Sequence, residues 1–179
     1  MRKLLRRLMR NERGAVAVEM AIIGPPFLLT LLSIVELGLI LTTQALLDGA
    51  TRDAARLIRT GQVSAAGNTI GTFQTLLCND MSMLLSPSNC TNNVLIDVVS
   101  SPTATNFAGL TFGACGSNAG SGGPNPCPFS AGNPGDIVAV QVSYNRSFVI
   151  PWVGTLLSVA SDSQKTMLQS NVVFRNEPF

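Results

Sequence analysis

Two carboxylates and four thiols are the side chains whose setting in this sequence points to chemistry. Glu19 and Glu36 are the charged residues of an otherwise apolar stretch over residues 15–43. A carboxylate kept charged at mid-bilayer costs about 2.5–3.5 kcal/mol, so an acid retained in such a stretch is a functional candidate. Glu19 follows Gly14 by five positions in Gly14-Ala15-Val16-Ala17-Val18-Glu19. That spacing sets a candidate cut site and an acid together at the mouth of the apolar run.

The thiols are Cys78, Cys90, Cys115 and Cys127, all downstream of that run. An even count in a short exported region reads as disulfides. Three pairings are open, and Cys78–Cys90 with Cys115–Cys127 is preferred because each closes a short loop, worth about 3 kcal/mol in the chain-entropy account. A zinc site fits poorly, since histidine is absent and there is no Cys-x-x-Cys. Redox chemistry lacks the same close spacing. No catalytic set emerges either. The serines have no Gly-x-Ser-x-Gly setting, and Asp80, Asp97, Asp136 and Asp162 are scattered. The expectation is a chain with no catalytic residues, no cofactor and no metal.

The elements that position these groups follow from charge and periodicity. Residues 1–14 carry a net charge of +5 and residues 15–179 a net charge of −3. Basic residues flanking a span stay cytoplasmic, which sends the remainder outward. The leader is a poor nucleic-acid patch, because no aromatic residue interleaves Arg2, Lys3, Arg6, Arg7, Arg10 and Arg13. The predicted division is a leader at 1–14, a transmembrane and stalk helix at 15–60, and an exported α+β domain at 61–179.

The helix is far longer than a bilayer needs, so its upper half projects. Leu47, Ala50, Ala54, Leu57 and Ile58 form a stripe able to dock on the domain, with Gly61 as the stop. Pro25 and Pro26 remove backbone donors within the span and predict a kink or locally opened turn near Ile22. Glu36 is read as a second intramembrane acid, snorkelling at the outer interface or pairing with a basic group on another chain.

Beyond the stalk, Phe73, Leu76, Leu77, Met81, Leu84 and Leu85 predict a helix capped by Thr72 and ending before Pro87. Residues 94–99, 136–144 and 167–174 read as strands of a small antiparallel sheet. Residues 148–159, with Pro151 and Trp152, read as a short helix or a loop near the membrane surface, Trp152 being suited to an interface or to the core. The Gly-rich segment 113–135 reads as a surface insertion or a variable binding loop.

Taken together, several of these motifs resemble the type IV pilin-like proteins, and within them the TadE-like minor pilins (pseudopilins) of the tight-adherence pilus system. The likeness lies in Glu12-Arg13-Gly14-Ala15-Val16-Ala17-Val18-Glu19, Pro25-Pro26, Glu36-Leu37-Gly38, Ala54-Ala55-Arg56 and the terminal Arg175-Asn176-Glu177-Pro178. It covers roughly the first third and the last dozen residues. Met20 stands where several relatives carry an aromatic residue. The resemblance implies cleavage between Gly14 and Ala15 by a prepilin peptidase, with Glu19 fifth in the mature chain. It also implies an inner-membrane protein with a cytoplasmic N-terminus and a periplasmic C-terminal domain, or a subunit of the extracellular pilus. Expected partners are the membrane, the peptidase, the major and other minor pilins, and the inner-membrane platform, with no nucleic acid. The alternative is an uncleaved signal anchor carrying a periplasmic ligand-binding or enzymatic domain.

Overall fold

An inward-facing stripe on one long helix sets the architecture. The computed structural model describes residues 12–65, 67, 70–102, 110–113, 115, 127–157 and 165–178. Helix α1 spans Glu12–Arg59 and stays helical through Pro25 and Pro26, a length of about 70 Å at 1.5 Å per residue. Its two halves have different surroundings. Large apolar side chains between Val16 and Val35 are exposed on every side. Higher up, Ile40, Thr43, Leu47, Ala50, Ala54 and Ile58, three or four residues apart, turn towards the domain, with Thr51 beside Ala50. Gly61 ends the run at a φ of 75°, its N–H reaching the Ile58 carbonyl at 3.0 Å, as a left-handed helix stop does.

Short helices follow: α2 (Gln62–Ala65), α3 (Ile70–Asp80), a 3₁₀ turn (Met81–Met83) and α4 (Pro87–Asn93). The spacing predicts a single helix here, from Thr72 to just before Pro87. The chain instead begins its helix at Ile70, tightens at Met81, and uses Pro87 to open a second one. Proline suits that first position because its φ is already helical and its missing N–H would have no intrahelical partner. Cys78 of α3 and Cys90 of α4 are both buried and disulfide-bonded.

Strands β1 (Val94–Ser101), β2 (Ile137–Ser147) and β3 (Lys165–Arg175) form an antiparallel sheet in that order, with helix α5 (Pro151–Leu157) between β2 and β3. The register aligns Val94, Tyr144 and Leu168, then Ile96, Val142 and Ser170, then Val98, Val140 and Val172 in successive rows of one face. Leu47, Ala54 and Ile58 of α1 and Phe73 and Leu77 of α3 cover that face, which makes one continuous core. Residues 128–130 close the free edge of β1. The Val98 N–H donates to the Pro128 carbonyl at 3.1 Å and the Ser130 N–H to the Val98 carbonyl at 2.9 Å, while Phe129 meets Phe73 edge-on at 6.2 Å. An open edge that would template unwanted pairing is thereby occupied. Cys115 bonds Cys127 just ahead of this segment. Much of the Gly-rich stretch read as a surface insertion or a variable binding loop, residues 114 and 116–126, lies outside the described residues.

The chain end closes the structure. Asn176 is buried and its amide donates to the carbonyls of Ala131 at 2.8 Å and Asn133 at 3.1 Å. Arg175 Nε donates to the Gly135 carbonyl at 2.9 Å. The turn they grip is built by Asp136, whose carboxylate accepts the Asn133 N–H at 2.7 Å, and by Gly132, with a φ of 71° and Ser100 Cβ only 2.9 Å from where a side chain would start. On the helix side, the Glu177 N–H donates to the Arg59 carbonyl at 3.0 Å and its carboxylate lies 3.1 Å from Arg59 Nε. Lower down, Gln44 Nε2 donates to the Gln169 carbonyl at 3.0 Å. These contacts hold β3 alongside α1.

One carboxylate breaks the pattern of satisfied polar groups. Asp97, only 2% exposed on the outer face of β1, has the Gly113 amide nearby but, among the described residues, no partner in good hydrogen-bond geometry for either oxygen. Burial raises its pKa above the usual 3.8, and the Gly113 amide opposes that rise. A group whose folded pKa is raised contributes stability below its unfolded pKa and loses it as pH climbs through the folded value. Asp97→Asn is therefore expected to raise the Tm of the full chain at pH 7, with the gain shrinking towards pH 4. Asn176→Ala should act in the opposite sense. It strips the buried Ala131 carbonyl of its Asn176 donor, at a cost of about 1–3 kcal/mol, read by thermal unfolding.

Candidate functional site: the anchor helix and its clamp

The buried stripe of α1 does not stop at Ile40. One turn lower it places Glu36, which is 0% exposed. A carboxylate withdrawn from water must be matched by donors, or it costs several kcal/mol. The domain supplies them. Arg146 Nη1 donates to Glu36 Oε1 at 2.9 Å, the Val149 N–H reaches both oxygens at 3.2–3.3 Å, and the Ile150 N–H donates to Oε2 at 3.2 Å. Arg146 is itself buried at the end of β2. The charge pair joins the bottom of the sheet to the helix, and the two amides fix the backbone that turns from β2 into α5.

The sequence expectation for Glu36 changes accordingly. Its basic partner comes from its own chain, 110 residues away, and its burial is provided by the domain. The partner was not readable because nothing local pairs residue 36 with residue 146. A signal did exist for its orientation: Glu36 lies in phase with Ile40, Thr43, Leu47, Ala50, Ala54 and Ile58, so it had to face inward with them.

The remaining predicted residues sort by exposure. Gly14, Ala15 and Glu19 all lie within the helical backbone of α1. Glu19 is exposed between Val18 and Met20, and among the described residues no hydrogen bond or ion pair reaches it. Pro25 and Pro26 deprive the Ala21 and Ile22 carbonyls of their helical donors, yet the helix assignment is continuous. Thr30 and Ser33 donate their hydroxyls back to the Pro26 and Leu29 carbonyls at 2.9 and 2.7 Å. The basic leader before Asn11 lies outside the described residues.

Beside the upper stalk, α3 and α4 leave a cavity of about 880 Å³ lined by Leu57, Thr72, Thr75, Leu76, Cys78 and Pro87 among others. Among the described residues no ionisable side chain lines it. A neighbouring hollow of about 380 Å³ shares Leu57 and Leu76 and brings in Asp53, Arg56 and Asp80. Asp97, the carboxylate with the raised pKa, lines neither. The two hollows together make an open groove along the stalk, with Asp53, Arg56 and Asp80 in its smaller part. Among the described residues no cluster of His, Cys, Asp or Glu could hold a metal ion.

The clamp makes a definite energetic prediction. Removing one member of a buried ion pair leaves the other uncompensated and costs about 3–5 kcal/mol, whereas replacing both by apolar groups of similar size is often close to neutral. Arg146→Met and Glu36→Met should each lower the Tm in detergent markedly, and the double variant should recover a large part of the loss. Additive losses in that double-mutant cycle would show that the two side chains act independently.

The comparisons with known proteins bear on this same helix. No curated protein and no solved structure matches the chain. The family model described as TadE-like protein matches residues 14–56, which run from the predicted cut site, through the exposed apolar half and the clamp, to the last turn of the buried stripe. Over this helix, about a quarter of its length, the chain is similar to TadE-like proteins.

Proposed function

We propose that the chain is a membrane-anchored minor pilin (pseudopilin) that takes part in assembling or initiating an adhesive tight-adherence pilus, after cleavage between Gly14 and Ala15. The observation that carries this reading is the division of α1. The lower half exposes apolar side chains all round, which suits a bilayer or a bundle of like helices. The upper half is built into the core of a small domain. From residue 15 to residue 35 the helix rises about 30 Å, the thickness of a hydrocarbon core.

In this reading the leader stays cytoplasmic, the domain is periplasmic, and the partners are the peptidase, the other pilins and the inner-membrane platform. Cleavage gives Ala15 an α-amino group with an ordinary pKa near 8, so it is largely protonated at neutral pH. A neighbouring subunit staggered by about the 6 Å that separates residues 15 and 19 brings its Ala15 amine to this Glu19. The pairing neutralises an expensive charge and sets axial register. The exposure of Glu19 and its lack of a partner among the described residues support that role. The two carbonyls left without donors by Pro25 and Pro26 mark where the helix can bend or stretch on leaving the membrane.

The alternative is a signal-anchored periplasmic domain with a ligand-binding or enzymatic role. The stalk groove is favourable to it by volume. Its apolar lining, with no acid or base among the residues around the larger cavity, supports assembly instead.

Two measurements test the proposal. Intact-mass analysis of the membrane fraction should show the chain shortened by residues 1–14 when the cognate peptidase is present. Retention of Met1 under those conditions defeats the processing claim. Glu19→Ala should insert and fold as the parent does but lose cross-linking to partner pilins and pilus formation. Normal cross-linking and normal pili would leave Glu19 without a role in assembly.

A further inference from the structure

We propose that residues 148–157 form a second membrane contact, in which Val149 and Trp152 seat in the headgroup boundary of the leaflet on the domain's side. The inference rests on α1 crossing the bilayer and adds a surface that the crossing itself does not require.

The clamp fixes the height of this segment. Glu36 is the first charged residue above the exposed apolar window of α1, about 30 Å beyond residue 15 along the helix. Its carboxylate holds the backbone amides of Val149 and Ile150 at 3.2–3.3 Å. Residues 149 and 150 therefore lie at the level where the span leaves the hydrocarbon, directly beside it. They cannot rise away from the bilayer while the clamp is made.

The chemistry of the segment suits that level. From Ser147 to Leu157 the sequence has no charged residue. Val153 and Gly154 of α5 are buried against the domain, whereas Val149 and Trp152 point outward, 68% and 70% exposed. Val35 and Leu37, on either side of Glu36 in the helix, are themselves about half exposed, so large apolar side chains face outward on both partners of the clamp. Trp is the side chain most at home at a bilayer interface, with an apolar body and a single N–H for the headgroup region. Burial of Val149 and Trp152 by lipid offers a few kcal/mol of transfer free energy at no cost in charge desolvation. A pilin partner would also cover this patch. Continuity with the apolar window, at a height fixed by a bond to the helix itself, favours lipid.

Trp152 is the only tryptophan in the chain, so its fluorescence reports this site alone. The full chain is reconstituted at high lipid-to-protein ratio into phosphatidylcholine vesicles whose acyl chains are brominated at a shallow or a deep position. The expected result is loss of about half or more of the emission with the shallow bromine, a smaller loss with the deep one, and weak quenching by aqueous acrylamide, as befits an interfacial indole. Strong acrylamide quenching without bromine quenching places Trp152 in water and overturns the proposal. Shielding from both quenchers places it under protein and overturns it as well. A Phe27→Trp, Trp152→Phe variant separates this from failure of the span. If its indole is quenched by the deep bromine while Trp152 of the parent is not quenched, the span stands and the second contact falls. If neither is quenched, the membrane reading of α1 falls with it.

Discussion

The burial of one carboxylate governs how the two parts of this molecule are joined. Glu36 stands where a helix built for an apolar surround becomes a helix built into a protein core, and a charge at that junction has no water to rely on. Its two oxygens take an arginine and two backbone amides. Each donor comes from the end of β2 or the turn after it, so satisfying the acid also determines where the sheet ends and how the chain leaves it. Such pairs add little net stability against a well-packed apolar alternative. Their effect is to penalise every arrangement in which the partners are apart. The clamp thus acts on the angle and height of the domain on its stalk more than on whether the domain folds.

Above the clamp the forces are ordinary ones. The stripe of α1 buries Leu47, Ala54 and Ile58 against the inner face of the sheet, and its small residues Ala50, Thr51 and Ala55 let the helix approach closely. Thr43 and Thr51 are buried without loss because their hydroxyls return to the carbonyls of Leu39 and Leu47 at 2.7 and 2.6 Å. With three strands among the described residues, the domain depends on closing its edges and tying its short helices. Residues 128–130 do the first for β1. The Cys78–Cys90 bond does the second for α3 and α4, and both cysteines are buried as core residues in their own right.

What the sequence made legible was whatever depends on local period. The long helix, the inward stripe, the three strands and their antiparallel order follow from apolar spacing, and the structure contains them within a few residues of the expected ends. Pro87 was read as a terminator because proline ends helices more visibly than it begins them, and the helix it starts was missed. The terminal Arg175-Asn176-Glu177 stood out in the sequence only as part of the family likeness. Within the chain it packs, with Asn176 serving the carbonyls of a turn more than forty residues away. Glu36 shows the same limit. Its inward phase was legible, and its partner was not, because an ion pair across 110 residues leaves no trace in spacing.

The arrangement of β3 beside α1 has a mechanical consequence. The helix is held to the rest of the chain at three heights: by Glu36 at the bottom, by Gln44 and Gln169 midway, and by Arg59 and Glu177 at the top. These attachments span about 35 Å of helix. A pull along the axis of α1 therefore loads β2 at the clamp and β3 and the residues after it at the two upper attachments, and the eleven aligned pairs from Ile137–Arg175 to Ser147–Lys165 hold the two strands together against shear. A strand loaded this way must give up many hydrogen bonds at once, unlike a hairpin peeled from one end. The domain is thus coupled to its helix as a splint is to a rod, stiff along the direction in which a subunit would be drawn from a membrane.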